Sequence, residues 1–347
     1  MGVGSRFVVL LGIHLHLVSG KVCSGSGHAS CVNLTGGVQM PLVALGTGAS
    51  SYLSECDEPK PNPPFRNVTC FAKCARESVD PWVKMGGEMI EMAQVDRNMI
   101  PVSQGLSAMG ARREDVFLET KCWGSQGFDA TIECAADSLQ MLGTDYIDLL
   151  LLHHPFKPSP ACWGSPVWDQ SCQGAPLYDP GPSVRQDSWR ALEVLLRAGR
   201  VRALGLSDFS IEQMEEILQV ANVTPAVLES HWAPAAHNDT LLAFCRRHGI
   251  TLQAWGALGA GQWGKRILSS PALRRIAAAH SGGKRTLSTA QVALRWSVQQ
   301  GVAVIAGTGN PQHMRSDLDI CDFSLSEAEM REISALRPED LQQAIHA

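Results

Sequence analysis

Lys121, His153, Ser207 with Asp208, Glu229 with His231, and Thr308 each stand at or just past the carboxyl end of a short apolar run. Side chains of these types do proton chemistry. Lys and His exchange protons and polarise an oxygen, carboxylates hold a cation or a proton, and hydroxyls orient a polar ligand. A lone Lys or His in such a place is usually a solvated or satisfied structural residue. Several at the ends of successive runs make a candidate site if those runs are parallel strands ending on one rim. A metal centre has no comparable support, because no H-E-x-x-H occurs and Cys70-x-x-x-Cys74 lacks a partner pair at zinc spacing.

The rest of the chain has the pattern such a rim needs. After a Gly, Ser and Cys-rich stretch, read as irregular over 21–37, short apolar runs alternate with amphipathic segments, the signature of βα units around a parallel sheet. Strands are predicted over 115–121, 147–153, 201–207, 226–230, 250–255 and 302–306, with weaker patterns over 42–46 and 89–93. Eight is the number a closed (β/α)8 TIM barrel requires. A helix over 128–142 would bury Ile132, Ala135, Ala136, Leu139 and Leu142 on one face. Ser210 with Gln213 and Ser326 with Glu329 form capping boxes at two further helix starts, and Gly249 and Gly301 stop helices just before strands. No G-x-G-x-x-G follows a strand, which argues against a doubly wound dinucleotide fold.

With 347 residues, 45% hydrophobic and 18% charged, the chain fits one α/β barrel over 38–336 followed by a short tail, 337–347. Two stretches exceed the minimal unit. Residues 51–78, with Pro59, Pro61, Pro63 and Pro64, and residues 156–186 both follow carboxyl ends of strands. They read equally as surface insertions and as lids over a pocket. A net charge of −5 with no run of Lys or Arg longer than two gives nothing to neutralise a row of phosphates, so nucleic acid is not an expected partner.

The first twenty residues carry Arg6, an apolar core from Phe7 and small residues Ser19 and Gly20, the layout of a secretory signal peptide and too short for a comfortable membrane span. Sequons at Asn33, Asn67, Asn222 and Asn238 agree with a secreted glycoprotein. In an oxidising compartment Cys162 and Cys172 could bridge, and eleven Cys leave at least one unpaired or paired between chains. The alternative is a cytoplasmic protein with an N-terminal extension.

The segments VQMPLVALGTG (38–48), REDVFLETK (113–121), DSLQMLGTDYIDLLLLHHP (137–155), GRVRALGLSDFS (199–210) and GNPQHMRSDLDICDFSLS (309–326) make the chain resemble the aldo-keto reductase family across nearly the whole barrel. The resemblance implies a (β/α)8 barrel that binds a nicotinamide dinucleotide, usually NADPH with NADH possible, and reduces a small aldehyde or ketone. A monomer is expected. In the family a Tyr donates the proton, assisted by a Lys paired with an Asp, while a His orients the carbonyl. Carried onto MIEMAQVDRNMIPV (89–102), that pattern puts Glu91 at the Asp and Asp96 at the Tyr, with Lys121 and His153 matching outright. The proton-donating phenol is missing, and the other Tyr residues are Tyr52, Tyr146 and Tyr178.

The cofactor positions implied by the resemblance are also altered. The Ser-Asn pair reads Ser207 and Asp208, the nicotinamide-binding Gln reads Glu229, and the stacking Tyr reads Trp255, followed by Gly256 and Leu258. Thr308 stands past the last strand, the Lys and Arg that grip the 2′-phosphate read Gly307 and His313, and Arg315 offers a substitute guanidinium. Trp123, His154, Phe156, Trp163 and Trp168 could line a substrate pocket. Two functions are therefore open: an NAD(P)-dependent carbonyl reductase with an altered acid group, or a barrel that has lost reduction and binds a ligand or partner.

Overall fold

A computed structural model describes residues 31–48, 68–157, 177–259, 262–283 and 286–338. The signal segment, Asn67, Tyr52, Cys162, Cys172, Trp163 and Trp168 lie outside the described residues. In chain order the strands are β1 (Cys31–Asn33), β2 (Gln39–Pro41), β3 (Val43–Gly46), β4 (Met89–Glu91), β5 (Phe117–Cys122), β6 (Ile147–Leu152), β7 (Val201–Ser207), β8 (Val227–His231), β9 (Thr251–Trp255) and β10 (Ala303–Ala306). Strands β3 to β10 pair in parallel, in sequence order, and β10 returns to β3 to close the barrel. Burial on both faces explains why they read as nearly unbroken apolar runs: all six residues of β6, IDLLLL, are buried.

The helices are α1 (Val68–Lys84), α2 (Met99–Met109), α3 (Phe128–Leu142), α4 (Pro182–Arg197), α5 (Ile211–Leu218), α6 (Asp239–His248), α7 (Gln262–Leu268), α8 (Pro271–Ala279), α9 (Thr289–Gln299), α10 (Pro311–Leu318) and α11 (Glu327–Ser334). Both expected capping boxes form, at Ser210 and Ser326, and Ser288 with Gln291 makes a third at the start of α9. Among the described residues no helix is long and apolar enough to cross a membrane.

Two local expectations are corrected. Within the segment expected to be irregular, β1 pairs antiparallel with β2 across a turn that uses Gly36 and Gly37 at φ +98° and +82°. Thr35 Oγ1 ties that turn to the Gly249 carbonyl at 2.8 Å. In α3 the buried face is Thr131, Cys134, Ala135, Ser138, Leu139 and Leu142, whereas Ala136 is exposed and Ile132 only partly covered. Cys134 lies on that buried face beside Ala135, Ser138, Leu139 and Leu142 and is bridged to Cys122 of β5.

Candidate active site

Side chains from the carboxyl ends of the barrel strands meet around a cavity of about 400 Å³ lined by Glu91, Asp96, Lys121, His153, Ser207, Asp208, Glu229 and Trp255, with Gly48, Gly256–Gly259 and residues 305–307. Strand register explains the convergence. Glu91 of β4 is level with Glu119 of β5, Ser207 of β7 with Glu229 of β8, and Glu229 with Gln253 of β9. Lys121, two residues beyond Glu119, therefore points to the same interior.

Lys121 Nζ donates to Glu91 Oε1 and stands 3.0 Å from Glu229 Oε2. Burial alone would lower the Lys121 pKa, but the charges of Glu229, Glu91 and Glu119 outweigh it and the net direction is upward, so the amine is an ammonium ion. His153 is held well below its ordinary pKa, first by burial, then by the Lys121 charge and by His154. It is a neutral imidazole in the cavity wall, able to donate an N–H to a carbonyl oxygen.

The turn after β4 carries Asp96. Thr47 Oγ1 donates to the Glu91 carbonyl at 2.7 Å, and Asn98 Nδ2 donates to Thr47 Oγ1 at 2.8 Å. Asn98 Oδ1 accepts from the Ala93 amide at 3.3 Å. Arg97 completes the turn in the left-handed region, φ +54°. The Asp96 carboxyl is thereby pressed against the chain at Gly48, where a Cβ would come within 3.0 Å of Oδ2. Neither Tyr146 nor Tyr178 lines the cavity. The Tyr146 ring lies under the Arg113 guanidinium at 3.9 Å, and Tyr178 pairs through its backbone with Lys157.

On the far wall Trp255 Nε1 donates to Asp208 Oδ1 at 2.9 Å, and the His231 ring packs edge-on against the indole with centroids 4.7 Å apart. Asp208 adopts φ +56° to reach this position. Ser207 Oγ is buried and has no partner. Past β10, Thr308 Oγ1 accepts from the Asn310 amide at 3.1 Å and lies 3.4 Å from His313 Nδ1, while Asn310 caps α10. His313 and Arg315 are exposed on that helix. Trp123, His154 and Phe156 stand outside the wall of this cavity; His154 Nδ1 lies 3.3 Å from the Phe156 carbonyl.

Two interior residues have no counterpart among the sequence candidates. Glu119, fully buried, accepts from Gln253 Nε2 at 2.7 Å. Its pKa is pushed up to about 7, chiefly by burial, with Lys121 opposing and Glu91 adding to the rise. The period of two along REDVFLETK is the signal that places it on the face of Lys121.

A parallel eight-stranded barrel with a Lys, a His and carboxylates on its carboxyl rim defines a barrel enzyme acting on a small polar group. The profile of the aldo/keto reductase family matches residues 72–338. The chain is 31% identical over 310 residues to the glyoxal reductase of Bacillus subtilis (strain 168), covering 89% of this chain and 93% of that protein. It is 31% identical to aldo-keto reductase family 1 member A1 of Xenopus tropicalis, covering 86% of each. Among solved structures, an aldo/keto reductase from Brucella melitensis superposes with TM-score 0.70 at 27% identity, covering 88% of this chain and 98% of that one. The chain belongs to the aldo/keto reductase family, whose members use NADP(H) and include NAD(P)H-dependent carbonyl reductases.

Proposed function

We propose that the chain reduces a small aldehyde or ketone with NADPH, acting as a monomer and using a carboxyl group of the cavity in place of the phenol that the resemblance implies. The observation that carries this reading is the buried Lys121 ammonium, bonded to Glu91 and flanked by the neutral His153 in one cavity wall. The residues fit a nicotinamide. The buried Ser207 hydroxyl lacks a partner, and Trp255 is held by Asp208 and His231 with its ring in the cavity wall. Ser207, Asp208, Glu229 and Trp255 would hold the nicotinamide end. Gly256 and Leu258 would flank it, and Gly307, Thr308, His313 and Arg315 would receive the phosphates. The bound group supplies a hydride. His153 positions the carbonyl oxygen, and Lys121 stabilises negative charge as it grows there.

Reductase relatives support this over a barrel that merely binds. Titration with NADPH, followed by Trp fluorescence, should show saturable quenching that Trp255→Phe diminishes. Absence of binding to the folded wild type would refute the reading.

The same proposal places the protein in the secretory pathway, processed near Lys21 and glycosylated. The disulfide bonding of Cys31, Cys70, Cys122 and Cys134 and the exposure of Asn33 support this. The Asn222 side chain donates to Glu193 at 3.0 Å and Asn238 caps α6, so Asn33 is the favoured acceptor among these three. A product from a secretory host whose mass is unchanged by glycosidase would contradict it.

A further inference from the structure

Three carboxyl groups and one ammonium share the cavity floor. Lys121 bonds Glu91 and lies 3.0 Å from Glu229 Oε2. Glu119 Oε2 accepts from Gln253 Nε2, and Glu229 stands level with Gln253 in the β8–β9 register. Glu119 Oε1 is buried without a donor, and Glu91, Glu119 and Glu229 are all buried. One ammonium cannot compensate three buried negative charges, and among the described residues no second cation pairs with them. A proton therefore resides on the Glu119 and Glu229 pair. Of the two, Glu229 lines the cavity and Glu119 is sealed behind it. The unpartnered Ser207 Oγ and His153 Nδ1, both buried, belong to residues of the same wall.

We propose that Glu229 carries the proton delivered to the carbonyl oxygen, and that Glu119 is the positioning residue that keeps that proton in place. This rests on the reductase reading above. As the carbonyl carbon gains hydride and forms its new C–H bond, the π pair of C=O moves to oxygen, which takes the proton from the Glu229 hydroxyl. The pair of the broken O–H bond stays on Glu229, leaving a carboxylate beside Lys121 Nζ. The alcohol departs, and a proton from bulk solvent, relayed by water entering the cavity, returns to the Glu229 carboxylate, so that each turnover consumes one solvent proton.

The electrostatics agree. Burial pushes Glu229 well above the ordinary carboxyl range; Lys121 pulls against that shift, and Glu119 and Glu91 add to it. The titratable groups around Glu229 are Lys121 and Glu119 from β5, Glu91 from β4, Asp96 in the turn after β4, His153 after β6, Asp208 after β7 and His231 on its own strand. Burial shifts both His153 and His231 toward the neutral form, so the carboxyl and lysine cluster sets the titration.

Glu229→Gln is the test, because it keeps the shape and restores the amide that the resemblance places there. In the cofactor-free wild type at pH 7, infrared absorption should contain a protonated-carboxyl C=O band that Glu229→Gln removes. With NADPH and a simple aldehyde, wild-type kcat should fall as pH rises through the titration of the pair. Glu229→Gln should bind NADPH at least as well, turn over on the order of 10²-fold more slowly at pH 6, and lose that pH limb. Glu119→Gln should keep the limb but move it to lower pH, because Glu229 then ionises more easily. A Glu229→Gln enzyme with wild-type kcat and profile, or a wild type without the band, overturns the role of Glu229 and leaves the reductase reading standing. A wild type that binds NADPH but reduces no aldehyde overturns both.

Discussion

Asp317, in α10, is 5% exposed, and among the described residues no cation or hydrogen-bond donor reaches its carboxyl. Burial lifts its pKa from the ordinary 3.8 to about 7. The folded protein therefore keeps this proton to near neutrality, while the unfolded chain loses it near 3.8. Between those values the folded state binds more protons, so stability falls as pH rises, and the loss is complete above the folded-state pKa. A shift of about 3 pKa units at roughly 1.36 kcal/mol each amounts to about 4 kcal/mol. Asp317→Asn replaces a neutral acid by a neutral amide of the same shape and abolishes the titration. Urea unfolding followed by circular dichroism should give nearly equal stabilities at pH 4 and an advantage for the variant that grows to as much as about 4 kcal/mol at pH 8. A difference that is the same at pH 4, 6 and 8 would show that the carboxyl does not titrate with folding.

Asp96→Tyr should raise aldehyde reduction at pH 8 by on the order of 10², by adding a phenol as a second proton donor in the cavity wall; no gain there would mean that a side chain at residue 96 does not reach the carbonyl oxygen. Arg315→Ala should reduce the preference for NADPH over NADH roughly tenfold, the worth of one charge-assisted bond to the 2′-phosphate. An unchanged ratio of dissociation constants would exclude Arg315 as the phosphate ligand. Cys122 and Cys134, twelve residues apart, close a short loop between β5 and α3. Replacing both by Ala should cost about 3 kcal/mol in urea unfolding under oxidising conditions, and equal stability of the two proteins would contradict the bridge.

The barrel was legible in the sequence because strands covered on both faces leave apolar runs that polar rim residues terminate. The pattern 147–153 and the observed Ile147–Leu152 differ by one residue. The β1 and β2 hairpin was hidden because three-residue strands such as Cys31–Asn33 are too short to show alternation. The face of α3 is only partly legible because Thr131, Cys134 and Ser138 do not stand out in an apolar pattern, yet all three lie on the buried side, where Cys134 is bonded to Cys122. Lys121 and His153 could be found from their places at strand ends, and both line the cavity. Glu119 could not be ranked that way. It lies mid-strand, and its meaning depends on Gln253, 134 residues away, and on Glu229 across the barrel.

The most direct measurement of the central claim is NADPH oxidation with a simple aldehyde at pH 6, alcohol product being quantified alongside, for the wild type and for Lys121→Met. The wild type should convert aldehyde to alcohol in equimolar amount with NADPH consumed. Lys121→Met should still bind NADPH yet lose on the order of 10² or more in kcat, because the growing charge on the carbonyl oxygen is no longer met by an ammonium. Equal turnover by the two proteins, or none by a wild type that binds NADPH, would contradict a reductase built around Lys121.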